Sequence, residues 1–273
     1  MLLLSARFEP AAGVRPRPPL APFLQVAITA AWLVAFGLAV EVLRPGWAGM
    51  GHGLATGAVH AGLIAMGWLV ATAATPGWRG PVARLAVAAV LTSIVARGGT
   101  WGPLALLLVP AVLIYETRGL PSMRAIGISG ARPIHLIAGL AAGGFLGLHL
   151  LITASLTFGY RVHSSAAAYA SALAYDVGAN VLSAEWLFRG ALFTACWRRT
   201  SFWPAALATT SLGVVRYLLD PALPAASEAR AGAIFYLVLA GLTACALRAW
   251  SGSLLPGYLT GLAFFVAYRT LTP

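Results

Sequence analysis

The chain has 273 residues, of which 60% are hydrophobic and 9% charged, where a soluble domain carries roughly a quarter charged residues. Its net charge of +11 comes from 18 arginines with no lysine. Most of these sit between apolar blocks and form no extended basic surface, which argues against nucleic acid as a partner and for membrane topology and anionic lipid headgroups.

An irregular arm at residues 1–22 carries Arg7, Arg15, Arg17 and five prolines. Its Met1-Leu2-Leu3-Leu4 start is too short for the core of a signal peptide. Apolar blocks of about 15–25 residues follow, the length that spans a bilayer as helix. They predict spans at 23–43, 53–74, 82–96, 103–115, 134–158, 166–197, 203–219, 231–250 and 254–268. The third and fourth are short and separated only by 97–102, as a tight hairpin or two tilted half-spans would be. The sixth would be about 48 Å long at the helical rise, with Gly178 as a point where it bends, unless it starts outside the bilayer. The expectation is an all-α, polytopic helical bundle of eight or nine spans. It forms a single transmembrane domain over 23–273 and contains no internal repeat.

Arginine distribution sets the orientation. With the N-terminus inside, the inner side receives Arg7, Arg15, Arg17, Arg79, Arg84, Arg118, Arg124, Arg132, Arg198, Arg199 and Arg248. The outer side receives Arg44, Arg97, Arg161, Arg230 and Arg269. The inner excess predicts a cytoplasmic N-terminus. Trp47, Trp78, Trp101, Trp203 and Trp250 fall at span ends, where an aromatic belt belongs.

Gly139, Gly143 and Gly147 form a small-residue ladder on the fifth span, and Gly53 and Gly57 a shorter one on the second. Such ladders let helices approach closely, within one bundle or between subunits. Cys196 and Cys245 read as small buried residues and not as a disulfide framework.

The polar residues inside spans are few. Glu185 and Arg189 share one face of the sixth span if it is α-helical, which predicts an internal ion pair. Asp176 and Asn180 stand one turn apart on the same helix. Arg216 interrupts the seventh span with Asp220 four residues on. Two readings are open: ion pairs that fix helix register, or a polar cavity for water, substrate or ion. His60 and His149 lie near the middle of the second and fifth spans. They serve either as helix–helix hydrogen-bonding groups or as axial ligands to a haem or chlorophyll-type pigment. No cofactor and no metal is otherwise predicted: no His-Glu-x-x-His, nucleophile elbow or phosphate loop is present.

The stretch Ala184-Glu185-Trp186-Leu187-Phe188-Arg189-Gly190 resembles the first motif of the CPBP family, the CAAX-protease and bacteriocin-processing intramembrane proteases also called Abi. In that family Glu-Glu-x-x-x-Arg is followed by Phe-x-x-x-His and then His-x-x-x-Asn. The resemblance covers about 125–273. It includes Ala125-Ile126-Gly127-Ile128 before a Gly-rich span and Ser253-Leu254-Leu255-Pro256 before the last one.

Three catalytic positions of the family are altered. Ala184 stands for the first Glu, Arg216 for the motif-two His in Leu212-Gly213-Val214-Val215-Arg216, and Thr260 or Gly261 for the motif-three His. The resemblance implies that the first Glu and the motif-two His activate water, which is general-base work. It therefore implies a catalytically inactive relative retaining Glu185 and Arg189, serving as a scaffold or accessory subunit among other subunits of a bacterial cytoplasmic membrane. The alternatives are an active peptidase that uses Glu185 alone, and a small transporter lined by the sixth and seventh spans.

Overall fold

The computed structural model describes residues 20–72, 79–118, 126–128, 130–162, 165–218 and 227–272. Most of the N-terminal arm, Trp78, Arg124, Ala125 and Asp220 lie outside the described residues. Nine helices form among them. They are α1 (Leu20–Leu43), α2 (Ala48–Thr72), α3 (Arg79–Val95), α4 (Leu108–Thr117), α5 (Pro133–Phe158), α6 (166–197), α7 (Phe202–Leu218), α8 (Ser227–Ser251) and α9 (Leu255–Tyr268). A 3₁₀ segment, Gly102–Leu107, leads into α4. A shorter 3₁₀ turn, Pro45–Trp47, precedes α2, and Arg161–Val162 pairs antiparallel with Leu271–Thr272.

Each expected apolar block is a helix, with ends shifted by a few residues. Four segments, Leu20–Leu43, Pro45–Thr72, Pro133–Thr157 and Arg230–Ser251, are long and apolar enough to cross a membrane. Gly102–Thr117 and Leu255–Tyr268 are shorter apolar helices. The third and fourth blocks pack on one another as a hairpin. Trp47, Trp101, Trp203 and Trp250 are all exposed, as belt residues are. Neither cysteine enters a disulfide.

The helices pack into two compact units, with the boundary in α6 between Leu187 and Phe188. Of the described residues, one unit holds 20–118 and 165–187, and the other 126–162 and 188–272.

In the first unit, glycine sets the helix separations. A Cβ at Gly37 would lie 2.6 Å from the Gly51 carbonyl, and one at Gly53 would lie 2.5 Å from that of Ser93. Backbones of α1, α2 and α3 therefore touch where a side chain would hold them apart. The Gly37–Gly51 crossing has no ladder signature in the sequence. Ile64, Trp68, Leu69, Leu85, Val109 and Trp186 are buried at the centre of this unit. Trp186 Nε1 donates to the Ile64 carbonyl at 2.9 Å, and the Trp68 and Trp186 rings stack at 6.0 Å.

In the second unit, the Gly139/Gly143/Gly147 ladder of α5 is the α9 contact. Gly139 lies against the Pro256 carbonyl, Gly143 against the Thr260 carbonyl and Gly147 against Ala267. Phe193, Ala205, Ala206 and Cys245 join α6, α7 and α8 in a buried cluster, flanked by Trp197 and Phe202.

Gly143→Ala and Gly144→Ala should differ sharply in thermal stability. The first forces a Cβ into α9, and overpacking of this kind costs about 1–3 kcal/mol. Gly144 faces open space, so its variant should melt like the native protein in a detergent thermal-shift assay.

Candidate functional site

The polar residues concentrate on α6, whose backbone is not a plain α-helix. It is α-helical over Ala166–Tyr175, π-helical over Asp176–Asn180, α-helical over Val181–Ala184, π-helical over Glu185–Phe193 and α-helical over Thr194–Trp197. Widened i→i+5 turns are rare and recur at functional positions. The first includes Gly178, whose missing side chain lets the Leu106 carbonyl approach. This corrects the α-helical register assumed for Glu185 and Arg189, because both lie in the second π segment. They are 6% and 5% exposed.

Arg189 belongs to the unit that contains α7 and α8, and two glycines make room for it there. A Cβ at Gly241 would lie 2.5 Å from Arg189 Nη2 and 2.7 Å from Thr210 Cγ2. A Cβ at Gly213 would lie 3.3 Å from Arg189 Nη1. The guanidinium thus sits in a slot between Gly213 of α7 and Gly241 of α8, beside the buried Thr210. Gly213 is the second residue of the five that occupy the motif-two position. Arg216, the last of those five, is half-buried, and its guanidinium lies 4.4 Å above the Tyr217 ring.

In the other unit, His60 of α2 meets α6. Its Nδ1 is 2.8 Å from Ser183 Oγ, and its Nε2 is 3.1 Å from the Tyr175 hydroxyl. Ser183 Oγ donates to the Asn180 carbonyl at 3.3 Å, and Asn180 Nδ2 donates to Asp176 Oδ1 at 2.8 Å. One tautomer satisfies the whole chain: Nδ1–H donates to Ser183, and Nε2 accepts from Tyr175. Both ring nitrogens are occupied, so neither is left for an axial ligand. Asp176, Asn180, Ser183 and His60 are all at most 2% exposed. The sequence pairs Asp176 with Asn180 by spacing, but it carries no signal that joins Ser183 and Tyr175 to His60 across more than a hundred residues.

His149 is on the exposed side of α5. Its Nδ1 lies 2.6 Å from the hydroxyl of Tyr236 on α8 and 3.3 Å from Thr153 Oγ1. Thr260 is fully buried, and its hydroxyl contacts the carbonyls of Gly139 at 3.0 Å and Pro256 at 2.9 Å.

Arg248 is buried to a degree the sequence does not reveal. It counts there as an inner-side topological charge, yet it is 1% exposed. Its guanidinium donates to the Gly252 carbonyl and, at 3.3 Å, to Thr194 Oγ1. Gly127 packs against that guanidinium with φ +87°, and its carbonyl accepts from Leu254 N at 2.6 Å and from Ser253 Oγ at 3.1 Å. Ile126-Gly127 and Ser253-Leu254, parts of two short segments that carry the resemblance, are thereby hydrogen-bonded to each other. Among the described residues no group of three or more His, Cys, Asp or Glu side chains gathers at metal-binding distances.

Residues 165–264 match the model of the family described as type II CAAX prenyl endopeptidase Rce1-like. Over that range the chain is similar to this family, and its long apolar helices are those of a membrane helical protein. No curated protein and no solved structure matches the chain.

Two substitutions test the site's construction. Gly241→Ala drives a Cβ into Arg189 and Thr210 and should lower stability by about 1–3 kcal/mol. Gly232→Ala on the same helix meets nothing and should be neutral. Ser183→Ala strands His60 Nδ1 in a buried setting, which costs about 1–3 kcal/mol. Its melting temperature should fall below that of Ser171→Ala, whose hydroxyl is exposed and bonds only the Thr100 carbonyl.

Proposed function

We propose that this chain is a catalytically inactive Rce1-like protein of a bacterial cytoplasmic membrane. It acts as a scaffold or accessory subunit beside other membrane proteins, with its N-terminus inside. The orientation rests on the arginine asymmetry.

The loss of catalysis rests on chemistry at three positions. Peptide hydrolysis needs a base to activate water and a donor for the developing oxyanion. Ala184 supplies neither. Arg216 stays protonated and accepts no proton. The observation that carries the reading is Thr260, which with Gly261 stands where the motif-three His would fall. Its hydroxyl is committed to two backbone carbonyls at the α5–α9 crossing, with no exposed surface. The Thr260 hydroxyl serves helix packing.

Groups that act as a catalytic unit fail together when one is removed, so three altered positions remove nearly all of the chemistry. The native protein and Glu185→Gln, reconstituted with prenylated and leader-type membrane peptides, should show the same background cleavage. Cleavage by the native protein that disappears in Glu185→Gln would establish a peptidase that works through Glu185 alone and would overturn the reading.

A further inference from the structure

The hairpin of α3 and α4 leaves an open groove of about 720 Å³ on the first unit. Its walls are Val87, Ala88 and Leu91 from α3 and Leu108, Ala111 and Val112 from α4. Polar groups gather at one end only, where Arg84, Tyr115 and Glu116 line it. Arg84 holds Glu116 in a two-point pair, Nε to Oε1 at 2.6 Å and Nη2 to Oε2 at 2.8 Å. This pairing turns the third nitrogen, Nη1, toward Gly80, where a Cβ would be 3.7 Å away. Arg118 lies over the Tyr115 ring with its guanidinium carbon 4.1 Å from the centroid. Arg79 opens α3 on the same side and is exposed. Three arginines and one glutamate therefore lie toward this end of the hairpin, and the excess is positive.

We propose that this groove holds one anionic phospholipid, with an acyl chain between α3 and α4 and the phosphate at Arg84 and Arg118. From Arg84 to Leu91 the groove runs about 10 Å at the helical rise, enough for part of one chain. Arg84 Nη1 and the Arg118 guanidinium supply charge-assisted donors to phosphate oxygens. Glu116 orients Arg84 and does not compete for Nη1. Basic pockets between membrane helices take anionic headgroups for this reason, and the small residues Ala88 and Ala111 keep the floor low enough for a chain. The proposal needs only the membrane environment, and it stands whether or not the protein hydrolyses peptides.

Native mass spectrometry in a neutral detergent tests it, with phosphatidylglycerol and phosphatidylcholine of matched chains as probes. The native protein should retain one phosphatidylglycerol in preference to phosphatidylcholine. At about fivefold per surface arginine, Arg84→Gln with Arg118→Gln should cut retention about 30-fold. Arg97→Gln, at the other end of α3, should leave it unchanged. Ala111→Phe fills the exposed groove, keeps both arginines and should also abolish retention, so a poorly folding double variant leaves the test intact. Equal retention of the two lipids, unchanged retention in either groove variant, full competition by glycerol phosphate, or a dimer seated on the groove in place of lipid would each overturn the proposal.

Discussion

Inside a bilayer no hydrophobic force distinguishes a neighbouring helix from a lipid tail, so helices associate where their backbones can come close. Glycine meets that constraint repeatedly here. Gly37 meets Gly51 between α1 and α2, Gly53 meets Ser93 between α2 and α3, and the Gly139/Gly143/Gly147 face meets α9. Much else follows from these contacts. The Thr260 hydroxyl reaches the Gly139 carbonyl only because Gly139 has no side chain to hold α5 away from α9. Arg189 is accommodated for the same reason, between Gly213 and Gly241.

The second constraint is that polar groups withdrawn from water must find partners. The protein meets it with chains of side chains instead of isolated pairs. Tyr175, His60, Ser183, Asn180 and Asp176 form one continuous network in the first unit. In the second, Arg248, Thr194 and the Gly252 carbonyl form another, against the turn at Gly127. Buried networks of this kind favour a single arrangement, because each member is costly to strand.

Much of the fold was legible. Apolar block length against bilayer thickness finds every helix, and the i, i+4 recurrence of glycine on the fifth block marks the α5 face that meets α9. The Glu185-x-x-x-Arg189-Gly190 core and Ser253-Leu254-Leu255-Pro256 both fall within the residues 165–264 that match the Rce1-like family. Three features were not legible, each for a physical reason. The two π segments of α6, the first of them where the Leu106 carbonyl approaches Gly178, are encoded by no residue type. The Gly37–Gly51 crossing joins single glycines on different helices, so no spacing rule reveals it. Arg248 looks like a loop charge because it ends a helix, and only the fold shows that Gly127 and Thr194 enclose it.

The central proposal is that this Rce1-like chain serves assembly and not catalysis. The mass and composition of the protein released from its native membrane in mild detergent test this most directly. The account predicts a particle in which this chain is held in fixed stoichiometry with other integral membrane proteins. A monomer accompanied only by lipid would contradict it.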